Sequence, residues 1–228
     1  MGYPINVHGT VIIRDRLDLK CIYIFRRNRD NCQLVQSKGE SLILTGPTRG
    51  VGFSYQAYCE INLKIKDTQT QDKQFSKVLF QMDTYEFYSL VDSKTVASWL
   101  SEVDLVLAHV KKSFEGTIQI TILSGPEAFD GKITACTTDV PNHHILLYDS
   151  AVNGANILSD DRVFQLLRRV VAVSEDQMLV FNIRACSGGQ NDISHRSCKL
   201  TPLTRGRNMV EVICGLYKMR IELVACEL

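Results

Sequence analysis

Residues 60–66 read Glu-Ile-Asn-Leu-Lys-Ile-Lys, with an apolar side chain at every second position. Successive side chains of a β-strand point to opposite faces of a sheet, so this stretch predicts a strand with one buried and one solvent-facing side. The stretch Thr-Ile-Gln-Ile-Thr-Ile at 117–122 repeats the pattern. Helical signals are few, and the period-two alternation therefore indicates an all-β protein.

Further short segments of this kind lie on both sides of residues 60–66. Turn-forming pairs such as Gly46-Pro47 and Asp130-Gly131 separate them. Many short strands with regular turn signals are typical of an antiparallel sandwich or barrel. The additional strands are predicted around 7–14, 19–26, 31–36, 41–45, 75–82, 102–110, 131–136, 144–148, 164–174, 177–185, 209–217 and 218–226.

A few segments lack a strand signal. The stretch Ser-Lys-Thr-Val-Ala-Ser-Trp-Leu at 93–100 predicts a short turn of helix. Loops longer than about twelve residues are uncommon inside compact domains and are often functional. The stretches poor in strand signal are 66–74, 89–101, 150–162 and 186–207.

The sequence carries signs of an internal repeat. With an offset of 120, Arg49, Val51, Asn62 and Lys64 fall on Arg169, Val171, Asn182 and Arg184; with an offset of 107, Gly9-Thr10 falls on Gly116-Thr117 and Val103 on Val210. A chain of 228 residues suits two domains. We therefore predict two tandem antiparallel β-sandwich-like halves with little helix, residues 1–113 and 114–228, each with a structural contact made by its matched arginine.

Composition limits the classes of function. The formal net charge is +1, so the chain as a whole does not attract nucleic acid. No run approaches the eighteen apolar residues of a membrane helix, and the first residues lack the pattern of a secretory signal. We expect an intracellular protein, cytoplasmic or nuclear, unless the chain is an excised fragment whose targeting segment is missing.

Eight cysteines could in principle form disulfides. However, Cys59 and Cys214 lie inside apolar strand patterns, and no Cys-x-x-Cys pair occurs. A chain of this length needs no disulfide to hold its core. We expect reduced, mostly buried thiols that pack as small apolar side chains.

Candidate chemistry is sparse. The stretch 52–56, Gly-Phe-Ser-Tyr-Gln, lacks the second glycine of a nucleophile elbow, and no phosphate-binding glycine motif occurs. Cys186, His195 and Cys198 form the one cluster with some metal potential, and we interpret them as polar loop residues. We predict no catalytic residue, no metal and no cofactor.

Other polar pairs have simple structural interpretations. His143 and His144 are adjacent, so in a strand they would point to opposite faces. The acidic pairs, Asp15 with Asp18 and Asp160 with Asp161, have too few further oxygen ligands nearby for calcium and are interpreted as turn residues.

A basic cluster is the candidate binding site. Arg26, Arg27 and Arg29 follow Tyr23 and Phe25, whose rings could stack on bases of a nucleic acid strand. The same cluster is also typical of a solvated hairpin tip. Arg26, Arg27 and Arg29 are therefore predicted as a weak site for nucleic acid or another anionic surface.

Several blocks resemble a plant domain family of unknown function that is expanded in grasses. They are residues 7–12 (Val-His-Gly-Thr-Val-Ile), 21–34, 41–47, 60–67 and 169–174, so the resemblance spans nearly the whole chain. Some members of that family are joined to ribosome-inactivating domains, which remove adenine from ribosomal RNA. That chemistry uses a Glu-x-x-Arg pair, and no glutamate here is followed by arginine three residues later.

Together these observations predict a non-enzymatic protein-interaction or regulatory module of a plant protein, related to defence or to a toxin-like partner. Loops or an exposed sheet edge would form the interface. Two alternatives stay open. One is an enzyme, either of the RNA-depurinating type or a hydrolase using His195 or the pair His143 and His144; the other is nucleic-acid or anionic-surface binding through Arg26, Arg27 and Arg29.

Overall fold

The structure is a computed structural model that describes residues 2–53, 55–67, 69, 71–83, 85, 89–98, 100–153, 156–157, 161–186 and 193–226. The chain divides into two compact units, Met1–His109 (unit 1) and Val110–Leu228 (unit 2). Regular structure in the described residues is almost entirely antiparallel strand, which confirms the predicted all-β class with little helix. None of the described helices is long and apolar enough to span a bilayer.

Unit 1 contains β1 (Ile5–Asp15), β2 (Ile22–Arg27), β3 (Gln33–Val35), β4 (Gln56–Ile65), β5 (Lys73–Asp83), β6 (Val91–Ser98) and β7 (Ser101–Ala108), with a 3-10 turn at Arg29–Asn31. Its main sheet has the order β2-β1-β4-β5, and β3 pairs with the start of β1. Alternate residues of β1 and β4, such as Val7, Ile61 and Leu63, form the buried core. The hairpin of β6 and β7 contributes residues that pack on this core.

Unit 2 contains β8 (Phe114–Ser124), β9 (Ala128–Phe129), β10 (Gly131–Thr137), β11 (Ile145–Asp149), a helical turn α1 (Ser150–Asn153), β12 (Asn156–Ile157), β13 (Val170–Val173), β14 (Leu179–Cys186), β15 (Ile193–Leu200), β16 (Gly206–Cys214) and β17 (Tyr217–Cys226). Two four-stranded sheets, β11-β10-β14-β15 and β13-β8-β17-β16, supply its core. Phe129 packs edge to face against Tyr148, Phe164 and Tyr217, an arrangement that aromatic rings favour.

The two units repeat one strand arrangement. In chain order, β1, β2, β4 and β5 follow the same sheet path as β10, β11, β14 and β15. Thr10 faces Asn62 across β1 and β4, as Thr134 faces Asn182 across β10 and β14. Each sheet is followed by a hairpin with a two-residue loop, β6–β7 in unit 1 and β16–β17 in unit 2.

This correspondence keeps one part of the predicted repeat and corrects another. The match of Asn62 with Asn182 agrees with the structure. Gly9-Thr10 does not correspond to Gly116-Thr117, because β1 corresponds to β10 and not to β8. Val103 of β7 corresponds to Met219 of β17 and not to Val210. All alternating strands share the same period of two in their sequences. Short sequence matches therefore indicate that a segment is a strand more reliably than they indicate which strand of the other unit corresponds to it.

Gly9 shows why a side chain is excluded from one position of β1. Its φ is +125°, and a Cβ there would lie 2.1 Å from the carbonyl oxygen of Asn62 on β4. A Cβ at Gly131 on β10 would likewise lie 2.0 Å from the carbonyl oxygen of Arg184 on β14. Close approach of two backbones requires glycine at both places.

The predicted strand at 41–45 is wrong. The first part of this segment bonds to the buried side chain of Gln33 instead of forming a strand ladder: Gln33 Nε2 donates to Ser41 O at 3.0 Å, and Ile43 N donates to Gln33 Oε1 at 2.8 Å. Thr45 N and Gly46 N then both donate to Ile24 O on the outer edge of β2. An amide side chain thus satisfies backbone groups that a neighbouring strand would otherwise satisfy.

Three other predictions are corrected. The predicted helical turn at 93–100 is wrong, because residues up to Ser98 form β6. The stretch 186–207, predicted to be poor in strand, contains β15, an edge strand with few buried residues. Of the predicted strand 164–174, only Val170–Val173 is strand, and Val163 before it forms an isolated bridge to Thr121.

Candidate protein-binding edge

The outer edge of β7 pairs with no other described strand. In unit 2 the corresponding strand, β17, pairs antiparallel with β8 along nearly its whole length, and β8 pairs in turn with β13. Unit 1 has no described counterpart of β8. The free edge of β7 is therefore a position that the same arrangement fills with a strand in unit 2.

Strand geometry identifies the backbone groups at this edge. Ser98 faces Ser101 across the two-residue loop, and residues that close such a loop form a hydrogen-bonded pair. Hydrogen-bonded pairs alternate along antiparallel strands, so the odd-numbered residues of β7 bond to β6. The N–H and C=O groups of the even-numbered residues, among them Val106, point to the free edge.

The interior side chains of β7 lack the cover that their counterparts have. The matching residues of β17 are at most 1% exposed and lie in register with three isoleucines of β8: Met219, Ile221 and Leu223. The residues of β7 pack on the core of unit 1 but stay only half-buried: Val103, Leu105 and Leu107. An added strand would complete their burial.

Two of the predicted binding arginines make local contacts. Arg26 projects from β2, and its guanidinium carbon lies 4.7 Å from the centroid of the Tyr23 ring. Arg27 Nη1 donates to Asn31 Oδ1 at 3.2 Å, and burial lowers the pKa of Arg27. Phe25 is 0% exposed, so of the two rings proposed for stacking only that of Tyr23 is accessible.

Arg29 is engaged by a carboxylate. Its Nε lies 3.1 and 3.0 Å from the two carboxylate oxygens of Asp72, and its Nη2 donates to Asp67 O at 2.8 Å. His8 Nε2 lies 3.0 Å from the same Asp72 side chain. Asp72 thus offsets one of the three positive charges, and binding of an anionic ligand by Arg26, Arg27 and Arg29 stays a prediction.

The first of the matched arginines forms the predicted structural contact. Asp15 is completely buried and accepts hydrogen bonds from Arg49 Nη1 at 2.7 Å, Arg49 Nη2 at 2.9 Å and Gly52 N at 2.8 Å. Burial raises the pKa of Asp15, but the bonds from Arg49 and Gly52 outweigh burial and hold the pKa below its ordinary value. Asp18 also bonds to Arg49, at 2.7 Å. Arg169 is exposed, and within the described residues it makes no ion pair that would repeat this contact.

The sequence-selected metal candidates do not converge. His195 and Cys198 lie three residues apart on β15 and therefore point to opposite faces of its sheet. Burial raises the pKa of the Cys198 thiol to about 11. Across the described parts of the chain, no group of three or more His, Cys, Asp or Glu residues could hold a metal ion. All eight cysteines are free thiols.

The remaining candidates are isolated. His143 and His144 are exposed and precede β11. Ser54 and Asp160 lie outside the described residues, and Asp161 is exposed. Glu102, Asp104 and Val106 on β7 were not among the residues predicted to form a site. The sequence pattern that could have identified them is the acidic residue at alternate positions of an otherwise apolar strand, which is typical of the edge strand of a sheet.

The sequence model of a family described as "Domain of unknown function (DUF6598)" matches residues 1–223. The chain belongs to this family. The match confirms the predicted resemblance to a domain family of unknown function. No curated protein matches it. Among solved structures, human GIVD cytosolic phospholipase A2 is similar with a TM-score of 0.28 and 11% identity, over 98% of this chain and 32% of that one. The DUF6598 chain spans about a third of that protein, and a similarity this low carries no argument about fold or activity.

Proposed function

We propose that this protein is a non-enzymatic binding module that takes up an extended segment of a partner protein as an added strand on β7. The observation that supports this proposal is the unpaired edge of β7 beside half-buried apolar residues, where unit 2 has β8. Main-chain hydrogen bonds along such an edge give affinity, and alternate side chains give specificity.

The wider role in this proposal is regulatory. The family resemblance to proteins joined to ribosome-inactivating domains supports a plant module that acts in defence or controls a toxin-like partner. An intracellular location, cytoplasmic or nuclear, is part of the same proposal and is supported by the thiol state of the eight cysteines, since reducing compartments keep thiols free.

A synthetic peptide with the sequence of β8, residues 114–124, is the probe for this edge. We expect it to bind the full chain and to slow hydrogen exchange at the amides of Glu102, Asp104 and Val106, because these N–H groups would gain acceptors. Hydrogen-exchange mass spectrometry and titration of a fluorescently labelled peptide measure the two effects.

The variant Val106→Pro removes one N–H from the free edge, and edge strands tolerate proline there. We expect it to weaken peptide binding, whereas the matched control Val106→Ala keeps the N–H and should bind nearly as well. Circular dichroism checks that both variants stay folded. Equal binding by folded Val106→Pro and Val106→Ala, or protection away from β7, would contradict strand addition.

A further inference from the structure

The outer face of the β6–β7 hairpin is acidic. Glu102 and Asp104 are exposed on β7, and the residues opposite them on β6 are Ala97 and Thr95. Thr95 Oγ1 donates to Asp104 Oδ1 at 2.6 Å, but a hydroxyl brings no positive charge. Within the described parts of the chain, neither carboxylate forms an ion pair.

The nearest basic residue on β6 belongs to the other face. Lys94 lies in the strand next to Thr95, so its side chain points away from the acidic face. Its Nζ lies 5.4 Å from the centroid of the Phe80 ring and 3.5 Å from Gln81 O, both on β5. Lys94 thus packs between the hairpin and the main sheet and does not lie on the acidic face.

Unit 2 carries the opposite charges at the same positions. Counting from the two hairpin loops, Glu102 corresponds to Lys218 and Asp104 to Arg220. Glu211 on β16 forms an ion pair with each of them, at 2.8 Å from Lys218 and 3.1 Å from Arg220. Thr95 occupies the place of Glu211 in unit 1, so the hairpin there leaves its charges unmatched.

From this contrast we infer that the strand accepted by β7 runs antiparallel to it and alternates apolar residues with lysine or arginine. The apolar residues face the half-buried row of β7, and the cations lie over Glu102 and Asp104. Opposite charges on directly paired strand positions are attractive, whereas like charges repel. The inference rests on the proposed function, since it specifies the partner of the same edge. An acidic edge of this kind disfavours nucleic acid and selects a basic, extended protein segment.

The pairing of β8 with β17 in unit 2 shows which residues of the β8 peptide should be substituted. In unit 2, Lys218 faces Ser124 and Arg220 faces Thr121; the register shifts between Lys218 and Met219, so these two residues of β8 are three apart in sequence. With the same shift, the two peptide positions would lie over Glu102 and Asp104 of unit 1. We compare a basic peptide with Thr121→Lys and Ser124→Lys and an acidic peptide with Thr121→Glu and Ser124→Glu. The two peptides share every apolar residue.

We expect the basic peptide to bind the full chain about three- to tenfold more tightly than the unmodified peptide, and the acidic peptide to bind more weakly, with a difference that shrinks in high salt. In the chain variant Glu102→Lys with Asp104→Lys, the order of the two peptides should reverse. The matched control Glu102→Gln with Asp104→Asn should remove the preference without reversing it.

The outcomes separate the two proposals. Binding of both charged peptides with equal affinity, and with sensitivity to Val106→Pro, would overturn the charge preference alone and leave strand addition standing. A preference for the acidic peptide would likewise overturn the inference. Absence of binding by every peptide would overturn strand addition at β7, and the inference with it.

Discussion

Replacement of Arg49 by methionine should destabilise unit 1 in a pH-dependent way. The change removes two charge-assisted hydrogen bonds, at 2.7 and 2.9 Å, from a completely buried carboxylate, and it leaves Asp15 with donors only from Gly52 and Leu17. Breaking a buried ion pair from one side costs about 3–5 kcal/mol. Because the Arg49 side chain is 27% exposed and partly screened by water, we expect the lower value, about 3 kcal/mol.

The pH dependence follows from Asp15. The pKa of Asp15 in the folded protein lies below that of the unfolded chain, so its stabilising effect is present above a pH of about 4 and is lost as the pH falls through the folded-state pKa. In Arg49→Met, burial without the guanidinium would place the pKa of Asp15 above that of the unfolded chain. Protonation of Asp15 then removes the unpaired buried charge from the variant. The difference in the free energy of unfolding between the native protein and Arg49→Met should therefore shrink as the pH falls from 7 to below about 4.

Urea unfolding followed by hydrogen-exchange mass spectrometry of peptides from residues 1–109 measures this loss of stability in unit 1. Arg16→Met is the matched control, since Arg16 is exposed one residue from Asp15, and it should change the free energy of unfolding by less than about 0.5 kcal/mol. A loss below about 1 kcal/mol for Arg49→Met at pH 7, or a loss that does not vary with pH, would refute the assignment of a buried ion pair.

Two further predictions concern packing and thiol chemistry. Gly9→Ala should lower the stability of unit 1 by about 3 kcal/mol, because its Cβ would lie 2.1 Å from Asn62 O. Gly39→Ala, with φ +86° and no atom within 4 Å of the added Cβ, should lower the stability by only about 1 kcal/mol. Thermal unfolding compares the two variants, and similar losses of stability would contradict the close approach of β1 and β4. Iodoacetamide at pH 8 should modify exposed Cys226 in the folded protein but not Cys59, whose pKa burial raises to about 12; equal rates measured by peptide mass spectrometry would contradict that burial.

Alternation identified the strands whose two faces meet different surroundings. Residues 60–66 showed it because one side of β4 faces the core and the other faces solvent. The helical prediction at 93–100 failed because β6 turns polar residues toward the main sheet of unit 1: Lys94 lies over the Phe80 ring of β5, and Ser98 Oγ accepts a bond from Lys77 N. When interior positions of a strand carry polar side chains, the sequence no longer alternates between apolar and polar residues.

The candidate site could be predicted only in part. Residues 102–110 were predicted as strand, and β7 spans Ser101–Ala108. That no described strand pairs with the outer edge of β7 is a property of how strands assemble and is not encoded locally. Likewise, Arg29 was recognised as a basic residue, but its partner Asp72 lies 43 residues away in sequence. Pairings over such distances depend on topology, which a single sequence specifies weakly.

The side chain of Gln33 has a consequence for how this fold can vary. A segment held in a strand ladder cannot gain or lose one residue without turning every later side chain to the opposite face. The start of the segment 41–45 is held instead by one amide group, which bonds to Ser41 and Ile43, and its end bonds to β2 through Thr45; neither attachment is part of a strand ladder. Insertions and deletions among the exposed residues 36–40 should therefore leave the core of unit 1 intact, and related chains are expected to differ in length there while keeping the glutamine.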